Sequence, residues 1–123
     1  MKQIKLPSTF DRVMVVGGSN NSGVTSALRW FCVKNDFEFF PEILYPTKSR
    51  ERLKSMISFC KRNDNVVIDN IENLLDFETQ QQIIEILLNS NPRLRLVCSA
   101  HSPAVVMHGW RDCVVNVLDC TDT

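Results

Sequence analysis

The chain has no surplus of charge. Its 14 Lys and Arg balance its 14 Asp and Glu, for a formal net charge of zero. That leaves no electrostatic footprint for nucleic acid or an anionic membrane. It has no C-x-x-C pair. Its five cysteines, at positions 32, 60, 98, 113 and 120, are odd in number, and three sit inside apolar runs. They read as reduced, packed thiols of a cytosolic protein rather than as a metal site or a disulfide framework. No apolar run approaches the roughly 18 residues of a membrane span, and the opening MKQIKLP has no apolar h-region. Neither a spanning helix nor a secretory leader is expected, and the expected location is the cytoplasm. There is no internal repeat, no low-complexity tract and no linker able to divide the chain. One domain, 1–123, with one core is expected.

What the chain does have is Val13-Met-Val-Val-Gly-Gly-Ser-Asn-Asn-Ser-Gly-Val-Thr-Ser26. This reads as a buried strand, a Gly-rich turn and the start of a helix. The spacing Gly18-x-x-x-x-Gly23-Val24-Thr25 is that of a P-loop, G-x-x-x-x-G-K-[ST], with Val24 where the Lys should stand. Glycines let such a loop wrap a phosphate and aim backbone N–H groups at it, and the helix dipole adds positive potential. Thr25 falls where a hydroxyl would hold Mg²⁺. Val24 removes the one mobile cation of the cradle, and it also continues an apolar helical stripe.

Strands and helices then alternate. Residues 13–17 are continuously apolar and β-branched, as a central parallel strand requires. A helix over about 23–34 carries Val24, Ala27, Leu28 and Phe31 at i, i+3, i+4 and i+7. A strand at 37–40 is closed by Pro41. A helix over about 49–62 turns Leu53, Met56, Ile57 and Cys60 inward, with Lys61 and Arg62 at its C-terminus. A strand at 65–69 follows. The next helix runs to about Asn89, capped by Asp76 or by Thr79 through Thr79-x-x-Gln82, with Ile83, Ile84, Leu87 and Leu88 inward. A strand at 94–99, a short helix near 103–108 and a strand at 113–118 complete the chain. Residues 1–12 form a polar lead-in that can add a short edge strand. The alternation calls for a mostly parallel, five-stranded sheet with helices on both faces.

Ligands on such sheets bind beyond the carboxyl ends of the strands. Gly18–Thr25, Asp69-Asn70 and Ser99–His101 all lie there. Asp69 closes the apolar run Val66-Val67-Ile68, where a carboxylate can accept hydrogen bonds from Mg²⁺-bound water or from Thr25. The plainer alternative is an Asp that opens a turn. Asn70 can orient a water but cannot take its proton. His101 can reach a γ-phosphate or simply cap a turn; His108 reads as structural. Lys48, Arg50, Arg52 and Lys54 read as a solvated helix face, since Glu51 interrupts them.

Three segments, GGSNNSGVTS at 17–26, NVVIDNIENLL at 65–75 and RLVCSAHSPAVV at 95–106, together resemble the core of ABC-type P-loop ATPases. The nearest groups are the SMC-like and OLD-like ones. The family forms are a GxxxxGKS/T loop, an hhhhDEP(E) strand and a T-T-H-S-P turn with a switch His. The resemblance covers most of the chain and implies a three-layer P-loop NTPase-like fold with strand order 5-1-4-3-2. It implies a phosphate cradle of Gly18, Ser19, Asn20, Asn21, Ser22, Gly23, Thr25 and Ser26. It also implies Mg²⁺ partners Thr25 and Asp69, and His101 as the γ-phosphate sensor. The cofactor it implies is ATP or ADP with Mg²⁺.

The departures bear on chemistry. Val24 replaces the Lys and Asn70 the catalytic Glu. The stretch from Thr25 to Asp69 has no room for the family's large insert, and neither a Q-loop nor an LSGGQ-like signature can be placed. Losing a charged hydrogen bond costs about 1.5–3 kcal/mol, or roughly 10–150-fold in affinity, so weakened binding survives. A lost transition-state donor costs on the order of 10²–10³ in rate, and a lost base roughly 10²–10⁴. The expected function is a degenerate nucleotide-binding domain that hydrolyses ATP weakly or not at all and regulates a protein partner or a homo-oligomer. The alternatives are an interaction scaffold that binds no nucleotide, and a slow ATPase completed by Lys48, Lys54 or a partner's Lys.

Overall fold

In the computed structural model, the protein is described over residues 3–17, 23–41, 49–71, 77–100, 113–116 and 121–122. Ten elements follow in chain order: β1 Gln3–Ile4, β2 Val13–Gly17, α1 Val24–Asn35, β3 Glu38–Phe39, α2 Ser49–Arg62, β4 Asn65–Ile68, α3 Phe77–Ser90, β5 Arg95–Ala100, β6 Val114–Asn116 and β7 Thr121–Asp122. The fold is α/β around a parallel sheet. Four strands run β3-β4-β5-β2, and the three-residue β6 extends the free side of β2. Every pairing in this sheet is parallel. β5 therefore lies between β2 and β4, the placement that the resemblance implies.

The pleat separates the apolar residues into two sets. Val13, Val15, Val66, Ile68, Leu96, Cys98 and Ala100 face one cluster. Met14, Val16, Val67 and Val97 face the other. Successive side chains of a strand point to opposite faces, so a strand covered on both sides must be apolar throughout. Residues 13–17 and 66–68 are buried at every position.

The helices divide between the two faces. Leu28 and Phe31 of α1 join the smaller cluster, with Val24 and Cys32 packed at its edge. Met56 and Cys60 of α2, with Ile83, Ile84, Leu87 and Leu88 of α3, join the larger. Each helix buries the face that its 3.6-residue spacing selects. α1 ends where Asp36 turns left-handed at φ 61°, its N–H donating to the Cys32 carbonyl. Asp is among the few residues that tolerate this conformation. Lys34 in the last turn complements the dipole.

Three local expectations change. β1 adds no edge to the sheet; it pairs antiparallel with β7, Gln3 opposite Asp122 and Ile4 opposite Thr121. Pairing sets where a strand goes, and both residues find their backbone partners in that second ribbon. The lead-in is also less free than its polarity suggests. Phe10 stands 6.3 Å from Phe31 and 6.1 Å from Phe37, and the Arg95 guanidinium sits 4.6 Å over the Phe10 ring. Finally, α3 begins at Phe77, so Thr79 lies within its first turn and not ahead of it. Asp76, Lys48, Cys120, the expected helix at 103–108 and residues 117–118 lie outside the described residues.

Buried polar groups are paired: among the described residues no buried side-chain nitrogen or oxygen lacks a partner. Asn91 shows how. It is 8% exposed, and its Nδ2 donates to the Cys60 carbonyl at 2.9 Å and to Asp64 Oδ1 at 2.8 Å. Its Oδ1 accepts from the Arg93 N–H at 2.9 Å. Its carbonyl accepts from Arg12 Nη2 at 3.1 Å, while Arg12 Nε donates to the Leu94 carbonyl at 3.2 Å. One amide side chain thus ties the end of α2 to the entries of β4 and β5. Asn91→Ala leaves a buried carbonyl and an amide unpaired, each costing about 1–3 kcal/mol. We expect a loss of about 2–4 kcal/mol in urea unfolding; a loss below about 1 kcal/mol would show that water replaces the side chain.

The cysteines read as packing residues. Cys60 and Cys98 are buried, Cys32 and Cys113 partly so, and all four are free thiols. Burial pushes the Cys60 thiol up to about 12; burial, with a smaller contribution from Cys113, does the same to Cys98. In the unfolded chain a thiol ionises near about 8.5. The folded state therefore binds more protons between those values. The contribution to stability is whole below the unfolded-chain value and declines as pH rises from there towards 12. Urea unfolding at pH 7.5 and pH 10 should show that decline, and Cys60→Ala with Cys98→Ala should flatten it. An unchanged slope in the double variant would refute it.

Candidate functional site

The parallel register builds a polar group at the strand tips. Val67 pairs with Val97 and Ile68 with Cys98. Val67 and Val97 face α1. Two residues further on, the same parity brings Asp69 and Ser99 to that face, side by side. The first turn of α1 lies above them and supplies Thr25.

The contacts are direct. Thr25 Oγ1 donates to Asp69 Oδ2 at 2.6 Å. Ser99 Oγ donates to Asp69 Oδ1 at 2.5 Å. The Asn70 backbone N–H donates to Ser99 Oγ at 2.8 Å. Asp69 is 8% and Ser99 2% exposed. A carboxylate this enclosed needs partners on both oxygens, and short hydroxyl bonds to an anion are among the stronger hydrogen bonds available. It also faces the N-terminal turn of α1, where the helix dipole favours negative charge.

The turn into α1 depends on Gly23. Its φ is 87° and its ψ 12°, a left-handed conformation that costs an L-residue with a Cβ roughly 1–2 kcal/mol. Its carbonyl accepts the first helical bond, from the Ala27 N–H at 3.0 Å. No side chain caps the helix and its first turn holds no acid. Val24 is half-buried against the smaller apolar cluster, so its isopropyl group extends the stripe of Ala27, Leu28 and Phe31. Ser26 is exposed one position beyond Thr25.

Thr25 and Asp69, named from the sequence as Mg²⁺ partners, are thus brought together, and Gly23 stands beside them. Gly18, Ser19, Asn20, Asn21, Ser22 and His101 lie outside the described residues. Asn70 is exposed in a left-handed turn at φ 50°, a conformation its residue type favours. Lys54 is exposed on α2, whose buried residues pack on the face opposite α1. Ser99, which the sequence marks only as a strand-end residue, joins the group directly. Its signal was a hydroxyl inside an apolar strand at the same parity as Val97.

The donor set suits Mg²⁺. Both donors are hard oxygens, and Mg²⁺ is commonly held by one or two protein oxygens with water and phosphate completing the shell. Thr25 donates its proton to Asp69 and keeps its lone pairs for a cation. Among the described residues no group of three or more His, Cys, Asp or Glu forms a metal site, and no helix is long and apolar enough to cross a membrane.

No family model and no curated protein matches the chain. Solved structures do. One, described as "Structural Basis for Katanin Self-Assembly", matches with a TM-score of 0.57 at 15% identity. The match covers 86% of this chain and 40% of the katanin chain, so this chain spans well under half the length of its neighbour. At that identity the likeness is one of fold, and the fold is P-loop-like.

Proposed function

We propose that this chain is a degenerate P-loop nucleotide-binding domain. On this reading it has the three-layer architecture of the ABC-type core, binds ATP or ADP with Mg²⁺ weakly, and regulates a partner more than it turns over substrate. The observation that carries the reading is the 2.6 Å bond from Thr25 to Asp69, which joins the first turn after the Gly-rich loop to the tip of β4. When bound, Mg²⁺ would neutralise phosphate charge. Thr25 would ligate it through its hydroxyl, and Asp69 would hold Thr25 and a metal-bound water in place. Gly23, left-handed at the entry to α1, would let backbone N–H groups of the first helical turn meet phosphate oxygens. The residues 18–22 and His101 keep the phosphate-binding and sensing roles that the resemblance implies. Self-assembly of the katanin neighbour favours a second copy as the partner.

A second reading, a scaffold that binds no nucleotide, is favoured by one observation: Val24 packs into the core edge. Calorimetric titration with Mg·ATP separates the two. Weak binding that Val24→Lys tightens, by about 10–150-fold for a restored charged contact, supports the nucleotide site. The same substitution should lower the melting temperature, because a Lys there must leave the apolar stripe or snorkel past it. No binding by either protein, with both melting cooperatively, supports the scaffold.

Hydrolysis should stay at background, since Lys at 24 and Glu at 70 are both missing. A turnover on the order of 1 s⁻¹ that disappears in Asp69→Ala would overturn that expectation.

A further inference from the structure

We infer that Ser99 is a positioning residue that aims Asp69 through one oxygen, Oδ2, at Thr25 and at the water of a cation that Thr25 holds. The inference rests on the nucleotide reading above and goes beyond it in naming what aims the carboxylate. A hydroxyl has a single proton. That of Ser99 goes to Asp69 Oδ1, which leaves the Ser99 oxygen to accept, and it does accept, from the Asn70 N–H. Oδ1 is thereby held against β5. Oδ2 alone is presented to Thr25 and to whatever cation Thr25 meets.

The arrangement constrains two things together. The carboxylate can rotate only by breaking the Ser99 bond, and Ser99 can move only by releasing the Asn70 amide. That amide belongs to a residue held at φ 50°, so the left-handed turn after β4 and the aim of Asp69 are one unit. Ser99 is 2% exposed, and water does not readily replace it. Its place in the middle strand of β2, β5 and β4 lets a single side chain brace the tip of β4 from inside the sheet. Outer-shell hydrogen-bond partners of a metal site typically set metal affinity by about 10–100-fold.

The test uses the whole chain, a fluorescent ATP analogue and MgCl₂, with affinity measured in Mg²⁺ and in EDTA. Ser99→Ala, and Ser99→Val beside its near-isostere Ser99→Thr, are compared with wild type. Ser99→Ala and Ser99→Val should lose about tenfold or more of the Mg²⁺-dependent gain in affinity and keep the affinity seen in EDTA. Ser99→Thr, which restores the hydroxyl, should keep both. A purely structural Ser99 would lower both affinities together and be rescued by neither hydroxyl nor metal; that result overturns the inference. Wild type with a Mg²⁺-dependent gain that Ser99→Ala leaves intact overturns the Ser99 role alone. Wild type with no Mg²⁺-dependent binding overturns the nucleotide reading and this inference with it. Should both hydroxyl-free variants unfold, hydrogen exchange at the wild-type Asn70 amide decides. Its protection should persist at saturating Mg·ATP, because Ser99 stays bonded to Oδ1, and loss of protection on adding Mg·ATP overturns the inference.

Discussion

The parallel pairing of β5 with β2 on one side and β4 on the other governs the rest of this structure. Five of the six β5 residues are buried, and a backbone placed there has no water to bond, so its N–H and C=O groups must be met by both neighbours. Val13 opposite Leu96 and Asn65 opposite Arg95 set one register for three strands. Everything at the carboxyl end of the sheet inherits it. A slip of one residue would exchange the two faces and turn Asp69 and Ser99 away from α1.

The polar cluster at the strand tips is a consequence of that register, and it repays the sheet in turn. Asp69 is an anion at the end of an apolar strand, an arrangement that is costly unless both oxygens are bonded. Thr25 and Ser99 supply those bonds from α1 and β5. The carboxylate therefore joins the first turn of α1 to the tips of β4 and β5.

Val24 sits where these demands conflict. A phosphate cradle wants a long cation at that position. The helix wants an apolar side chain to follow Ala27, Leu28 and Phe31 onto the smaller cluster. The core interaction is present in this chain, and the cation is not. On the proposed nucleotide reading, what remains is a left-handed glycine, two hydroxyls and one carboxylate: Gly23, Thr25, Ser99 and Asp69. Such groups position anions and hard cations well but have no mobile charge to follow a transition state.

The sequence by itself determined the local structure. Continuous apolar runs marked β2, β4 and β5, and 3.6-residue spacing marked the buried faces of α1, α2 and α3, because a side chain's direction is set by its own backbone. The acid at Asp69 and the hydroxyl at Thr25 were legible as candidates for the same reason: spacing from a glycine turn and a strand end is a local property. A bond from Thr25 to Asp69 was legible as one option beside a plain turn-opening Asp; the role of Ser99 was not, nor was the pairing of Gln3–Ile4 with Thr121–Asp122. These depend on which strands lie together and in what register. Burial of both sheet faces and the satisfaction of backbone groups across the whole sheet decide that, and only the tertiary structure could bring position 99 against position 69.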